Sequence, residues 1–169
     1  MPMLAGDFPV PVAIVLHMPV GYTELYAAKL NELCDLEVKE AKEGDVLRPG
    51  RVLLAQAGRH LGFRRTISGT VVAQLLMQPL EKIHRPSVDV LFRSAADVFG
   101  ERVLAVVMTG MGDDGREGAA WIKAQGGSVL TEAEKSCVIY GMPRSVEEAG
   151  LSDAAIPLEE MARAITSRL

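Results

Sequence analysis

The run Val103-Leu-Ala-Val-Val-Met108 passes without a spacer into Thr109-Gly-Met-Gly-Asp-Asp-Gly115. A short apolar run bounded by turn residues reads as a strand buried on both faces. Beyond Gly115 the pattern turns helical, with Ala119, Ala120 and Ile122, and it stops at Gly126-Gly127. Residues 109–115 are therefore a strand-to-helix crossing at the carboxyl end of a parallel strand. In open α/β sheets that end is where ligands and catalytic groups gather. A fold for this chain has to be built around that crossing.

The crossing admits three chemical readings. Gly110, Gly112 and Gly115 fit G-x-G-x-x-G, the dinucleotide fingerprint, and Glu132 follows after the next strand. Such a loop offers backbone N–H groups to a pyrophosphate, which Asp113 and Asp114 would repel. A second reading has Asp113 or Asp114 cap the following helix. In the third, the paired carboxylates orient a cation or a histidine.

The totals narrow the field. The chain has 169 residues, which suits one domain, and 49% of them are hydrophobic, enough for a core. Aromatics are few, so that core is aliphatic. A net charge of −4 with no basic block argues against nucleic acid as a partner. No apolar run approaches the ~20 residues of a membrane span, and no signal peptide is present. Membrane insertion is therefore not expected. Cys34 and Cys137 lack metal-ligand spacing and make no disulfide framework. They read as reduced structural thiols in a cytoplasmic protein, and no metal or cofactor is expected.

Taken in order, Pro9–Leu16 reads as a second buried strand, with its prolines tolerated at the start. It ends at His17, so an imidazole stands where a parallel strand stops, the same kind of position as the Asp113-Asp114 turn. A helix over Tyr22–Leu33 is expected, with Thr23 as N-cap and Tyr26, Leu30 and Leu33 on its inner face. Strands follow at Leu36–Lys39 and Val52–Ala55. Phe63–Ile67 and Thr70–Leu75 form a hairpin about Ser68-Gly69. His84-Arg-Pro-Ser-Val-Asp89 opens a helix with Val88, Leu91, Phe92, Ala95 and Phe99 inward. Ser128–Thr131 and Leu151–Ile156 read as strands. Helices begin at Pro143 and Pro157, the last with Leu158, Met161, Ile165 and Leu169 on one face. The alternation predicts an α/β fold, a three-layer, doubly wound, mostly parallel sheet of Rossmann-like type, with a β-hairpin insertion.

Four stretches carry a resemblance: Leu16-His-Met-Pro19, Arg85-Pro-Ser-Val-Asp-Val-Leu-Phe92, Met108-Thr-Gly-Met-Gly-Asp-Asp-Gly115 and Ser136-Cys-Val-Ile-Tyr-Gly-Met-Pro143. In this order and spacing they closely resemble the catalytic domain of the chemotaxis protein-glutamate methylesterases, the CheB family. The resemblance spans nearly the whole chain, making residues 1–169 a single methylesterase-like catalytic domain. It implies hydrolysis of glutamate methyl esters, and in some members deamidation of glutamines, on methyl-accepting chemoreceptors or related signalling proteins. It also implies a Ser-His-Asp triad. The family histidine falls on His17 and the family aspartate on Asp114. Asp113 takes the variable position, and the backbone N–H of Met111 falls where the family helps form an oxyanion hole.

The nucleophile has no counterpart. In the family it lies upstream, in a Gly-Ala-Ser-Thr-Gly-Gly turn after the first strand, whereas the first serine here is Ser68. Relative to the family the chain reads as N-terminally truncated and without a receiver domain. An earlier true start, a remnant that binds receptor without chemistry, and a substitute nucleophile are the competing explanations. Ser87, Ser136 and Ser145 lie in motif regions, but the family gives them structural roles. A lost inner strand would leave unpaired edges, so self-association through an exposed sheet edge is also expected.

Overall fold

In a computed structural model that describes residues 2–169, the chain forms an α/β fold with parallel sheets and five α-helices among the described residues. The Rossmann-like class expected from the sequence is the one observed. The chain divides into two compact units, Met1–Leu91 and Phe92–Leu169.

The first unit begins with β1 (Val12–Ile14), α1 (Thr23–Leu33), β2 (Glu37–Glu40) and β3 (Arg51–Leu54). The three strands are parallel in the order β1-β3-β2, with Val12 opposite Val52 and Val38 also opposite Val52. Pro9 and Pro11 carry no N–H, so pairing starts only at Val12. β1 is an outer strand and half-buried, where a fully buried one was expected. β4 (His60–Arg65) and β5 (Val71–Leu76) make the antiparallel hairpin about Ser68-Gly69. Its first half is buried, with His60 and Leu61 at 0% exposure. Val52, Leu53, Leu54, Leu61 and Ala73 form the aliphatic centre of this unit.

Helix α1 departs most from expectation. Thr23 is inside the helix and does not cap it; Tyr22 holds the N-cap position. Thr23 and Ala27 are the buried residues, while Leu25, Tyr26 and Leu33 are exposed. The cause is polar. The Thr23 hydroxyl donates to Glu40 and accepts the Ala57 N–H at 3.1 Å. The Asn31 side chain accepts the Val38 N–H at 2.8 Å. Hydrogen bonds to β2 and to the turn after β3, rather than an apolar stripe, orient this helix.

Helix α2 (Val88–Phe99) follows, with Ala96 buried in place of the expected Ala95. The second unit continues with β6 (Leu104–Val107), α3 (Arg116–Ala124), β7 (Ser128–Glu132), α4 (Met142–Glu148), β8 (Ala154–Ile156) and α5 (Leu158–Thr166). Its strands are parallel in the order β6-β7-β8, and Leu104 faces Ser128 across the first pair. Ala105 and Val107 are buried while Leu104 and Val106 are half-buried, as suits an outer strand. Ile122, Val129, Leu130 and Val146 are each 0% exposed and form the core. α5 buries Met161 but leaves Leu158 exposed, and Leu169, beyond its end, is exposed too.

Candidate functional site

The turn between β6 and α3 is held from three sides. Below it, Glu132 at the end of β7 is 1% exposed, an unusual depth for a carboxylate. One of its oxygens accepts the Thr109 N–H at 3.0 Å, and the other accepts the Ser136 hydroxyl, also at 3.0 Å. Beside the turn, Gly110 N–H donates to Ile139 O at 3.0 Å. The Thr109 hydroxyl and the Ile139 backbone also bond each other in both directions. On the third side Gly110 O accepts both Gly141 N–H, at 3.1 Å, and Met142 N–H, at 2.8 Å. The two chain segments touch so closely that a Cβ on Gly141 would lie 2.6 Å from Gly110 O, and one on Gly110 would run into the Met142 sulfur. Contact with backbone requires glycine at Gly141; at Gly110 the obstacle is the flexible Met142 side chain.

Those bonds bear on Asp113 as a cap and on the dinucleotide reading. The helix is capped at Gly115, at φ 102°, with no side-chain capping bond there. Asp113 faces solvent and pairs with Arg116 at 3.0 Å, so it does not cap. The dinucleotide reading needs Glu132 to meet a ribose hydroxyl; both its oxygens are instead spent inside the protein. Gly110, Gly112 and Gly115 serve the clamp and the turn. Asp114 is buried at 7% exposure, unlike its exposed neighbour Asp113.

Met111 lies in the same turn and is 76% exposed. It borders an open cleft of about 500 Å³ whose other walls include Asp113, Arg116, Tyr140, Arg144 and Ser145. Tyr140 donates its hydroxyl to Glu147 at 2.8 Å. That bond, with burial adding to it, pushes the phenol up to about 12, so it remains a neutral donor. Ser145 donates to Met142 O at 2.8 Å within its own helix. Ser136, besides Glu132, accepts the Leu158 N–H at 3.1 Å. These two hydroxyls do the structural work expected of them. Burial, then the nearby Glu132 charge, pushes the Cys137 thiol up, consistent with a structural thiol.

His17 belongs to the first unit. It stands three residues beyond β1, exposed, on a segment where Met18 N–H donates to Leu16 O at 3.0 Å. Its ring stacks on that of His84, with centroids 4.1 Å apart and planes 19° from parallel. Two participants escaped the sequence reading. By sequence alone His84 reads as the lead-in to a helix, and Glu132 only as a ribose ligand. Their signals are a third histidine just before Arg85-Pro86 and an acid at the end of a buried strand. Among the described residues no group of three or more His, Cys, Asp or Glu side chains could hold a metal. No described helix is long and apolar enough to cross a membrane.

An α/β domain with a clamped, Gly-rich acidic turn at the carboxyl end of a parallel strand belongs to a broad class of ligand-binding and catalytic folds. Comparison with known proteins narrows it. The CheB methylesterase family model matches residues 1–165. The chain is 56% identical over 158 residues to protein-glutamate methylesterase/protein-glutamine glutaminase 5 of Myxococcus xanthus, covering 94% of this chain and 45% of that protein. It is 46% identical over 164 residues to the corresponding protein of Moorella thermoacetica, covering 97% and 39%. The crystal structure of the Thermotoga maritima CheB methylesterase catalytic domain matches with a TM-score of 0.96 and 36% identity, over 99% of this chain and 88% of that one. The chain belongs to the CheB methylesterase family. It spans less than half the length of these two sequence relatives and nearly all of the catalytic domain.

Proposed function

We propose that this domain hydrolyses γ-methyl esters of glutamate on chemoreceptors, and deamidates receptor glutamines, by serine acyl transfer. The first serine of this chain is Ser68; the serine of this mechanism is the one the family carries in its Gly-Ala-Ser-Thr-Gly-Gly turn. Its Oγ attacks the ester carbonyl while His17 takes the proton. His17 then returns that proton to the departing methanol. Water, activated by the same imidazole, releases the glutamate and restores the serine. Asp114 holds the imidazole in the right tautomer and offsets the charge of the imidazolium. The Met111 N–H donates to the tetrahedral oxyanion, a contact worth roughly 2.7–4 kcal/mol in serine hydrolases.

The observation that carries this reading is family membership over residues 1–165, with the motif positions falling on a strand-end histidine and a clamped turn. Exposure of Met111 on an open cleft beside a buried Asp114 supports it. The test is methanol release from methylated receptor by this chain joined to the family's Gly-Ala-Ser-Thr-Gly-Gly segment. Turnover that depends on that serine and on His17 is expected. Equal turnover by His17→Ala would refute the assignment.

A further inference from the structure

In the proposed reaction the ester carbonyl reaches the Met111 N–H, and a glutamyl side chain holds that carbonyl only about 5 Å from its own backbone. The wall beside Met111 therefore faces the receptor chain as well as the ester. We propose that Arg144, on that wall, is a specificity-determining residue that reads a carboxylate carried by the receptor segment beside the ester. This rests on the reading of Met111 as the oxyanion donor.

Arg144 has a fixed place relative to Met111. The strip that ends in Gly141 runs so close to the turn that a Cβ on Gly141 would lie 3.2 Å from the Met111 Cα. Gly141 O accepts the Ser145 N–H at 3.0 Å in the first turn of α4, and Arg144 stands in that turn. Met111 and Arg144 both line the open cleft of about 500 Å³. The exposed side chains of Met111 and Ile139 give the cleft apolar edges for the aliphatic part of a substrate.

Arg116 and Arg144 both border the cleft, but only Arg144 has donors to give. Arg116 is engaged by Asp113 at 3.0 Å. Arg144 approaches Glu148 through Nε alone, at 3.8 Å, beyond the ~2.7–3.2 Å of a hydrogen bond. Among the described residues its guanidinium makes no hydrogen bond, and its side chain is 60% exposed. Glu148 is exposed as well, so an incoming carboxylate displaces only a loose, solvated partner. A guanidinium presents paired N–H groups that match a carboxylate edge to edge. The substrate supplies that group. Ester hydrolysis and glutamine deamidation both leave a glutamate, so a receptor segment gains a carboxylate with each turnover. Arg144 thus favours an ester whose neighbouring site has already been processed.

The test gives the serine-containing form of the domain peptides with one γ-methyl glutamate and one glutamate stepped through the neighbouring positions, with an all-alanine background as reference. At the matching position glutamate is expected to lower KM about threefold with kcat unchanged, the scale of an exposed ion pair. Added salt should erase that gain. Arg144→Met should lose the preference while melting like the parent, and Arg144→Glu should prefer lysine at the same position. In NMR of the chain as it stands, the product peptide with both glutamates should shift the Arg144 Nε–H signal, and its alanine counterpart should not. A KM that no glutamate position lowers, a preference that survives in Arg144→Met, or an unmoved Arg144 signal would overturn the proposal. Turnover of the alanine peptide that survives His17→Ala would instead refute the serine mechanism, an outcome distinct from a normal His17 dependence with no effect of Arg144.

Discussion

The turn at residues 109–115 and the segment at His17 are supported in opposite ways. The turn is tied by backbone bonds to Ile139, Gly141 and Met142, and a carboxylate at 1% exposure sits beneath it. The His17 segment leaves a half-buried strand and stands exposed, with a flat ring as its neighbour. The difference matches the jobs proposed for them. Groups that orient and stabilise charge work best when preorganised and immobile. A group that takes up and returns a proton has to present both edges of its ring.

The sharpest way to break this contrast is to unclamp the turn. Glu132→Ala leaves the Thr109 N–H without its acceptor, while the Ser136 hydroxyl keeps only Ala133 O. A stability loss of about 1–3 kcal/mol is expected, as for other buried groups stripped of a partner. Turnover of the serine-containing form should fall with it, because Met111 and Asp114 ride on the same turn. Glu132→Gln keeps an acceptor oxygen and should retain more of both. Thermal melts and methanol release read the two effects. If Glu132→Ala melts and turns over like the parent, the turn is not clamped by this acid.

A smaller effect sharpens the comparison from the first unit. Asp45 pairs with Lys39 at 2.8 Å and accepts the Lys42 N–H at 2.7 Å. Burial alone would raise its pKa. The Lys39 bond and charge, with the Lys42 N–H, outweigh burial and hold it below the usual aspartate range. A carboxyl whose folded-state pKa is lowered stabilises the fold above its unfolded value, and that contribution is lost as pH falls through the folded value. Asp45→Asn should therefore cost about 1.5 kcal/mol near neutrality. The gap to wild type should begin to close below roughly pH 4, where free aspartate protonates, and close fully only below the lowered folded-state value. A gap that stays constant down to pH 2 would mean that packing, not charge, is what Asp45 supplies.

Much of this could be read from the amino acids. The strand–turn–helix at Gly115, the hairpin about Ser68-Gly69 and the Pro-led start of α4 follow from local chemistry. The rest depends on partners far along the chain. Thr23 is buried because Glu40 and Ala57, 17 and 34 residues away, bond its hydroxyl. Apolar periodicity cannot see that, and it put Tyr26 and Leu33 on the wrong face. Glu132 reads as a ribose ligand until Thr109, 23 residues back, is seen to donate to it. In the site, the family resemblance is what assigns roles to His17, Met111 and Asp114. Glu132, the side chain that braces the turn, carries no such signature, since bracing depends on position and not on residue type.

The central claim is that His17 and Asp114 act as one catalytic unit. Its most direct test is a double-mutant cycle on methanol release by the serine-containing form, using His17→Ala, Asp114→Asn and the pair. Asp114→Asn alone should lower kcat by up to ~10⁴, following the serine-protease precedent. Residues that act as a unit are grossly non-additive, so the double variant should be no slower than His17→Ala alone. Losses that multiply, with the double variant slower than either single one by the product of their effects, would contradict the account.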